Sequence, residues 1–368
     1  MDRAQRRVLM ASAVSHKKFM NFRSFRRFAL VLYVLFAMQY VAAQAPPYMP
    51  SVEPQPTSRS LNDWLTRVHE ASRNRSYIGT FVVSAGGTMS SAKIWHACEG
   101  SEQIERVETL SGPPRSIFRH NSQVVTFIPE HKVARIEKRH SLGQFPEVFQ
   151  SGDNRIAEFY KVRQEGIERV AGFDADVIVL TPKDKLRFGF RVWGERKSGL
   201  VLKLQTLDTD GRVLEQAAFS ELQLDAPVRM DKLVQMMEKT DGWRIEKPLL
   251  LKTTAIAEGW LLKTPVAGFN SISCYKRPAA ASTGPSANAP ASSMTADGSL
   301  QWIFSDGLAS VSIFVEPLDR QRHIREASLS MGATQTLSRQ LDGYWITVMG
   351  EVPMPTLRLF ADALERKK

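Results

Sequence analysis

The sequence predicts a mainly β protein: a large, strongly curved antiparallel sheet, followed by a smaller domain that mixes strands with helix. Three observations lead there. Leu186-Arg-Phe-Gly-Phe-Arg-Val-Trp193 alternates Phe188, Phe190 and Val192 with Arg187, Gly189, Arg191 and Trp193, and Leu200–Leu207 and Val213–Leu224 come after it across turns at Glu195–Gly199 and Asp208–Gly211. Period-two alternation with Ser-Gly and Asp-Gly punctuation is what a meander with one buried face requires. Strand signals also run almost without pause ahead of that meander, and about a dozen antiparallel strands cannot stay flat.

Taken in order, the first element is a helix. Leu61, Trp64, Leu65 and Val68 keep the i, i+3, i+4, i+7 spacing of one apolar stripe, so this helix is expected to plug the concave side of the sheet. Strands are expected at Tyr77–Ala85, Met89–Ala97, Gln103–Leu110, Arg115–Arg119, Gln123–Ile128 and His131–Lys138. After a looser region, Ala157–Arg163, Ile167–Ala171 and Asp176–Leu180 continue the pattern. Gly86-Gly87, Glu99-Gly100, Gly112-Pro113-Pro114, Asn121-Ser122 and Pro129-Glu130 supply the turns.

Val228–Lys239, bearing Leu233, Met236 and Met237, reads as a connecting helix that stops at Asp241-Gly242. Beyond it, strands are expected near Thr253–Leu262, Phe269–Lys276, Leu300–Ser305, Leu308–Glu316, Thr334–Leu341 and Tyr344–Gly350. Asp306-Gly307 and Asp342-Gly343 are hairpin signals. Pro355 opens a final helix with Leu357, Phe360, Ala361 and Leu364 on its apolar face. The expected organisation is therefore a large domain over 58–227, a connector over 228–242 and a smaller domain over 243–368. The last carries an Ala/Ser/Pro-rich insert over 278–299, whose composition predicts disorder.

The first 43 residues read as a secretory signal. Arg23, Arg26 and Arg27 precede the apolar run Phe28–Met38, and Val41-Ala-Ala43 offers small residues for cleavage. The run is short for a membrane span of about 20 residues. Residues 44–57 then form a Pro-rich lead-in expected to be extended. The leader carries eight Arg/Lys against one Asp, so of the formal net charge of +11 only about +4 belongs to residues 44–368. A nucleic-acid partner would require a basic stripe on the folded part, and that balance gives such a partner little support. Cys98 and Cys274 fall in different expected domains; export permits a bridge, and two free thiols are equally compatible with the spacing.

Catalytic and metal signatures are missing: there is no His-Glu-x-x-His, Gly-x-Ser-x-Gly, Cys-x-x-Cys or phosphate-cradling glycine loop. His96-Ala-Cys98-Glu99 lacks a second half-site, so it reads as a structural thiol beside a surface histidine. Asp174-Ala-Asp176 and Asp208-Thr-Asp210 lack the further ligands of a calcium loop. His69, His120, His131, His140 and His323 lie among charged residues and read as solvated. No enzyme, cofactor or metal is expected. Phe81, Val83, Ile94, Val125, Phe127, Phe188 and Phe190 could converge inside the curved sheet, either as an ordinary core or as a cavity for an acyl chain. Arg187 and Arg191 beside them would meet anionic headgroups or form a solvated outer face.

Several segments carry a resemblance. Val170-Ala-Gly-Phe-Asp-Ala-Asp176, Arg187-Phe-Gly-Phe-Arg-Val-Trp193, Gly199-Leu-Val-Leu-Lys203, Gly211-Arg-Val-Leu-Glu-Gln216 and Ser76-Tyr-Ile-Gly-Thr-Phe81 resemble the N-terminal domain of the MucB/RseB family. Ser305–Glu316 and Val348-Met-Gly-Glu-Val-Pro353 resemble its C-terminal domain. The resemblance implies an unclosed antiparallel barrel, similar to lipoprotein carriers, with helices on its concave face, plus a small α+β domain. It further implies a periplasmic regulator that binds the periplasmic part of an RseA/MucA-type membrane anti-sigma factor and shields it from the site-1 protease. Lipid or lipopolysaccharide would relieve the shielding, and exopolysaccharide synthesis is among the outputs. On this reading Phe81, Val83, Phe127, Phe188, Phe190 and Arg191 are the candidates for lipid, and Leu308, Val311, Ile313, Val315 and Glu316 for the anti-sigma factor. The rival reading is a periplasmic lipid or lipoprotein carrier, and a homo-oligomer is compatible with either.

Overall fold

The computed structural model describes residues 61–138, 145–146, 156–277 and 298–367. The expected signal and lead-in lie outside the described residues, as do His140 and all of the insert but Gly298 and Ser299.

Helix α1 (Leu61–Arg73) opens the described chain. The large sheet is then built from β1 (Tyr77–Ala85), β2 (Thr88–Glu99), β3 (Glu102–Thr109), β4 (Ser116–His120), β5 (Gln123–Ile128) and β6 (Val133–Lys138). After the short helix α2 (Ile156–Phe159) come β7 (Tyr160–Val170), β8 (Phe173–Pro182), β9 (Gly189–Glu195), β10 (Val201–Leu207) and β11 (Val213–Leu224). Helix α3 (Met230–Glu238) leads to β12 (Arg244–Glu246). The smaller domain holds β13 (Leu251–Lys252), β14 (Trp260–Leu262), β15 (Asn270–Lys276), β16 (Leu300–Ser305), β17 (Ser310–Pro317), β18 (Ala327–Met331), β19 (Thr334–Leu341) and β20 (Tyr344–Gly350). Helix α4 (Met354–Ala363) and β21 (Leu364–Arg366) close the chain.

The large sheet has twelve strands in the order β12-β6-β5-β4-β3-β2-β1-β11-β10-β9-β8-β7. Its margins, β12 and β7, do not pair, so the sheet is unclosed. All its pairings are antiparallel except β12 on β6. The expected helical plug is present: Trp64, Val68 and Ala71 of α1 enter one apolar cluster with Tyr77, Phe81, Leu180, Val192 and Phe219. The other face carries a separate cluster, in which Leu233 and Met237 of α3 cover Ile104, Phe118, Val125 and Phe127. The smaller domain is a seven-stranded sheet, β13-β15-β16-β17-β20-β19-β18, with α4 burying Leu357, Phe360 and Ala361 against it.

Three sequence expectations change. Ala157–Arg163 and Ile167–Ala171 are not two strands; β7 runs through both, and a bulge at Gln164/Gly166 lets it continue. Thr253–Leu262 is not one strand, because Thr254 Oγ1 accepts the Ala257 N–H (3.2 Å) and Gly259 takes φ +79°, forming a turn between β13 and β14. Arg244–Glu246, past the expected boundary at Asp241-Gly242, pairs with the large sheet as β12.

Gly79 shows why one motif position is small. A Cβ there would lie 2.5 Å from Phe219 Cε1, so the ring of β11 rests directly on the β1 backbone. Gly79→Ala is expected to cost about 1–3 kcal/mol through overpacking, measurable by urea denaturation.

Candidate functional site

The junction between the two sheets is built by the segment just before β9 and the hairpin between β16 and β17. Arg187 and Asp306 are both fully buried there, with Arg187 Nε 2.5 Å from Asp306 Oδ2. Arg187 also donates to Asp184 and, through Nη2, to the Ala267 carbonyl at 3.0 Å. Its guanidinium lies over the rings of Phe159 (4.3 Å) and Phe269 (4.8 Å). Asp306 serves two structures at once: Oδ1 accepts the Leu308 and Ala309 N–H groups at 2.9 and 2.7 Å, which makes the hairpin turn. Tyr160 donates to Oδ2 at 3.5 Å, and burial beside Asp306 pushes its phenol well above the usual tyrosine range.

Apolar contacts cross the junction in both directions. Leu186 packs into the smaller domain's core, and Leu308 packs into the larger one's. Thr356 Oγ1 donates to the Leu186 carbonyl (2.9 Å). Gly268 must be glycine: it has φ +80°, and a Cβ would overlap Arg187 Nη2. An arginine with this many fixed partners holds the two sheets in one orientation.

The lipid candidates do not form one cavity. Phe81, Val83 and Phe190 do share the α1-covered cluster, but Phe127 belongs to the opposite face, its ring 4.9 Å from Trp243. Phe188 is buried in the segment just before β9. Rings fill the concave side itself: Phe145 lies 5.5 Å from Phe81 and 4.9 Å from Phe219. The two arginines also part company. Arg191 is half-exposed and pairs with Glu165 (2.9 Å), whereas Arg187, expected at headgroups or on a solvated face, is at neither.

The anti-sigma candidates sit mostly in the smaller core. Val311 and Ile313 are 0 % exposed and Val315 3 %. Strand β17 is also central, paired by β16 and β20 on its two sides, so it has no free edge. Glu316 is held by His323 Nε2 at 2.8 Å. His323 is therefore not solvated; it also stacks on Trp345, with centroids 4.8 Å apart.

His96, expected at the surface, is fully buried. It stacks on Tyr77 (5.0 Å), and its Nδ1 lies 2.7 Å from the Arg75 carbonyl. In the neighbouring strands Glu105, opposite it in register, pairs with Arg119 (3.0 Å). Burial holds the His96 imidazole below its ordinary value of 6.5, the Glu105 charge opposing that shift and the Arg119 charge adding to it. The unfolded chain therefore takes up this proton first as pH falls, and stability contributed by neutral His96 is lost below about pH 6.5. His96→Phe is expected to flatten the fall in unfolding free energy as pH drops below about 6.5, read from urea titrations at successively lower pH.

Cys98 and Cys274 are both free thiols; Cys274 is buried, which pushes its thiol up to about 11. Among the described residues, no group of three or more His, Cys, Asp or Glu could hold a metal ion. Sequence reasoning missed a surface groove of about 850 Å³ at the rim of the large sheet. Arg75, Arg169, Arg196 and Lys197 line it, together with Asp174, Glu195 and Asp225. Its cations come from the α1–β1 link, strand β7 and the β9–β10 turn, so no local motif announces it.

Comparison with known proteins decides the family. The MucB/RseB N-terminal domain matches residues 60–237, and the MucB/RseB C-terminal domain matches residues 254–365. The chain belongs to the MucB/RseB family. It is 30 % identical over 315 residues to the sigma factor AlgU regulatory protein MucB of Pseudomonas aeruginosa, covering 82 % of this chain and 90 % of that one. It is 24 % identical over 307 residues to the sigma-E factor regulatory protein RseB of Haemophilus influenzae, covering 81 % and 89 %. A crystal structure of MucB in complex with MucA(peri) superposes with a TM-score of 0.62 at 27 % identity, covering 83 % of this chain and 98 % of that one. The Pseudomonas aeruginosa MucA/MucB complex gives 0.63 at 27 %, covering 83 % and 99 %. These MucB/RseB relatives are named as regulatory proteins rather than enzymes.

Proposed function

We propose that this protein is a periplasmic negative regulator of an envelope-stress sigma factor. It binds the periplasmic region of a MucA/RseA-type anti-sigma factor and keeps that region from the site-1 protease. The observation that carries this reading is the match of both domains, in order, to MucB as it stands in complex with MucA(peri). The fixed junction suits the role: Arg187 and Asp306 hold two sheets in one orientation, so a single extended partner can be covered by both.

Release by a lipid or lipopolysaccharide signal is expected if the lipid prefers the free form, since it must then weaken anti-sigma binding by the same factor. With Phe81, Phe145 and Phe219 packed in the concave side, we place the anionic headgroup in the groove of Arg75, Arg169, Arg196 and Lys197. Exopolysaccharide synthesis is a downstream output on this reading.

Proteolysis tests it. Saturating protein is expected to slow cleavage of the cognate anti-sigma periplasmic segment, and vesicles bearing an anionic acylated lipid are expected to restore it. Arg75→Glu combined with Arg196→Glu should blunt the restoration while leaving the protection. Cleavage at an unchanged rate under saturating protein would overturn the regulatory reading.

A further inference from the structure

Sheet edges expose unpaired N–H and C=O groups, and proteins ordinarily guard them with charges, proline, bulges or brevity. Among the described residues the two larger sheets end on β12, β7, β13 and β18. Strands β12 and β13 are only three and two residues long. Strand β7 is long but guarded: it carries Lys161, Arg163, Glu165, Glu168 and Arg169, and its bulge interrupts the register. Strand β18, Ala327-Ser-Leu-Ser-Met331, has neither charge, proline nor bulge, and all five residues are exposed.

Its side chains make the edge apolar as well as open. Leu329 is 61 % and Met331 63 % exposed. They pair in register with Thr336 and Thr334 of β19, whereas Leu337, opposite Ser328, packs into the core. By strand alternation Leu329 and Met331 therefore stand on the face turned away from that core.

The edge ends at the domain junction. The turn after β18 seats on the large sheet, where the Ala333 N–H donates to Glu215 Oε2 (3.4 Å) and Gly332 lies against Ala85. The segment leading into β18 carries Arg320, Arg322 and Arg325 against Asp319 and Glu326. Asp319 is engaged by Arg322 (2.8 Å), and Glu326 accepts the Gln340 N–H (2.9 Å). Arg320 and Arg325 are exposed and have no ion-pair partner among the described residues.

We propose that β18 is a docking edge for an extended, acidic and apolar segment of the protein partner, added as an eighth strand to the smaller sheet. Apolar side chains of that segment lie against Leu329 and Met331, and its carboxylates lie beside Arg320 and Arg325. Main-chain hydrogen bonds supply affinity in such strand addition, and alternate side chains select the register. The arginines hasten encounter with an acidic segment, an effect that salt screens. This site rests on the regulatory reading above and locates part of its interface.

The test uses the full chain and, as probe, the periplasmic segment of the cognate anti-sigma factor. Leu329→Lys with Met331→Lys, both on exposed positions, is expected to weaken binding at least about tenfold with an unchanged unfolding midpoint. Arg320→Glu with Arg325→Glu is expected to slow association at low salt, with the difference shrinking as salt rises. In the unaltered chain, amides of residues 327–331 should gain protection from hydrogen exchange when the probe is added. Equal affinity of the lysine pair, or no added protection at 327–331, overturns the proposal while leaving the regulatory function standing. A dimer of the unaltered chain that the lysine pair dissolves overturns it in favour of a second copy as occupant. No binding by the unaltered chain overturns the regulatory reading, and this site with it.

Discussion

Asp306→Ala is expected to lower the unfolding free energy by about 3–5 kcal/mol, the cost of leaving one member of a buried ion pair without its partner. Arg187 would keep its charge between the rings of Phe159 and Phe269, with Asp184 and the Ala267 carbonyl as its remaining partners. The same change strips the Leu308 and Ala309 N–H groups of their acceptor, so the hairpin turn loosens along with the junction. Urea denaturation is the measurement, and a second sign is expected in it: separate transitions for the two sheets once they are uncoupled. Arg187→Met combined with Asp306→Leu should recover much of the loss, because it removes both charges instead of orphaning one. A loss below about 1 kcal/mol for Asp306→Ala would mean that apolar contacts alone hold the halves together.

Phe190→Asp is expected to unfold the large domain. Phe190 is only 6 % exposed and lies in the cluster closed by α1, its ring centroid 6.2 Å from that of Tyr160. The substitution removes an aromatic side chain from a packed site and leaves a carboxylate there, so the cost should exceed about 4–5 kcal/mol. That is comparable with the whole stability of a domain, about 5–15 kcal/mol. Thermal melts followed by circular dichroism should show loss of the cooperative transition. An intact fold that merely fails to respond to lipid would instead indicate that the concave side opens to an acyl chain.

The strands were legible because alternation and turn chemistry agree along most of the chain. Tyr77–Ala85, Gln123–Ile128 and Val213–Leu224 appear with the bounds read from sequence. Strand β18 escaped notice because Ala-Ser-Leu-Ser-Met has little β-branched or aromatic content to announce it. Strand β12 is simply too short to show a period.

The site was harder to see than the fold, and Arg187 shows why. Alternation assigns a residue to one face of a strand, but it does not say whether a second domain later covers that face. Asp306-Gly307 carried a turn signal, and nothing local disclosed that its carboxylate also faces an arginine 119 positions away. The rim groove and the burial of His96 are likewise products of distant segments meeting. Val311, Ile313 and Val315 were visible as a strand, while their place in the middle of a sheet depends on partners that pairing order alone reveals.

The attachment of the smaller domain has a mechanical side. Only residues 247–250 separate β12, at one margin of the large sheet, from β13 in the other sheet. Such a strap spans at most about 14 Å when stretched. The Arg187 clasp grips just ahead of β9, two strands in from the opposite margin. The second domain is thus moored both to one margin of the large sheet and close to the other. Spreading those margins would load both moorings, and with them the Glu215 contact of the turn after β18, so a change at the rims is carried into the smaller sheet.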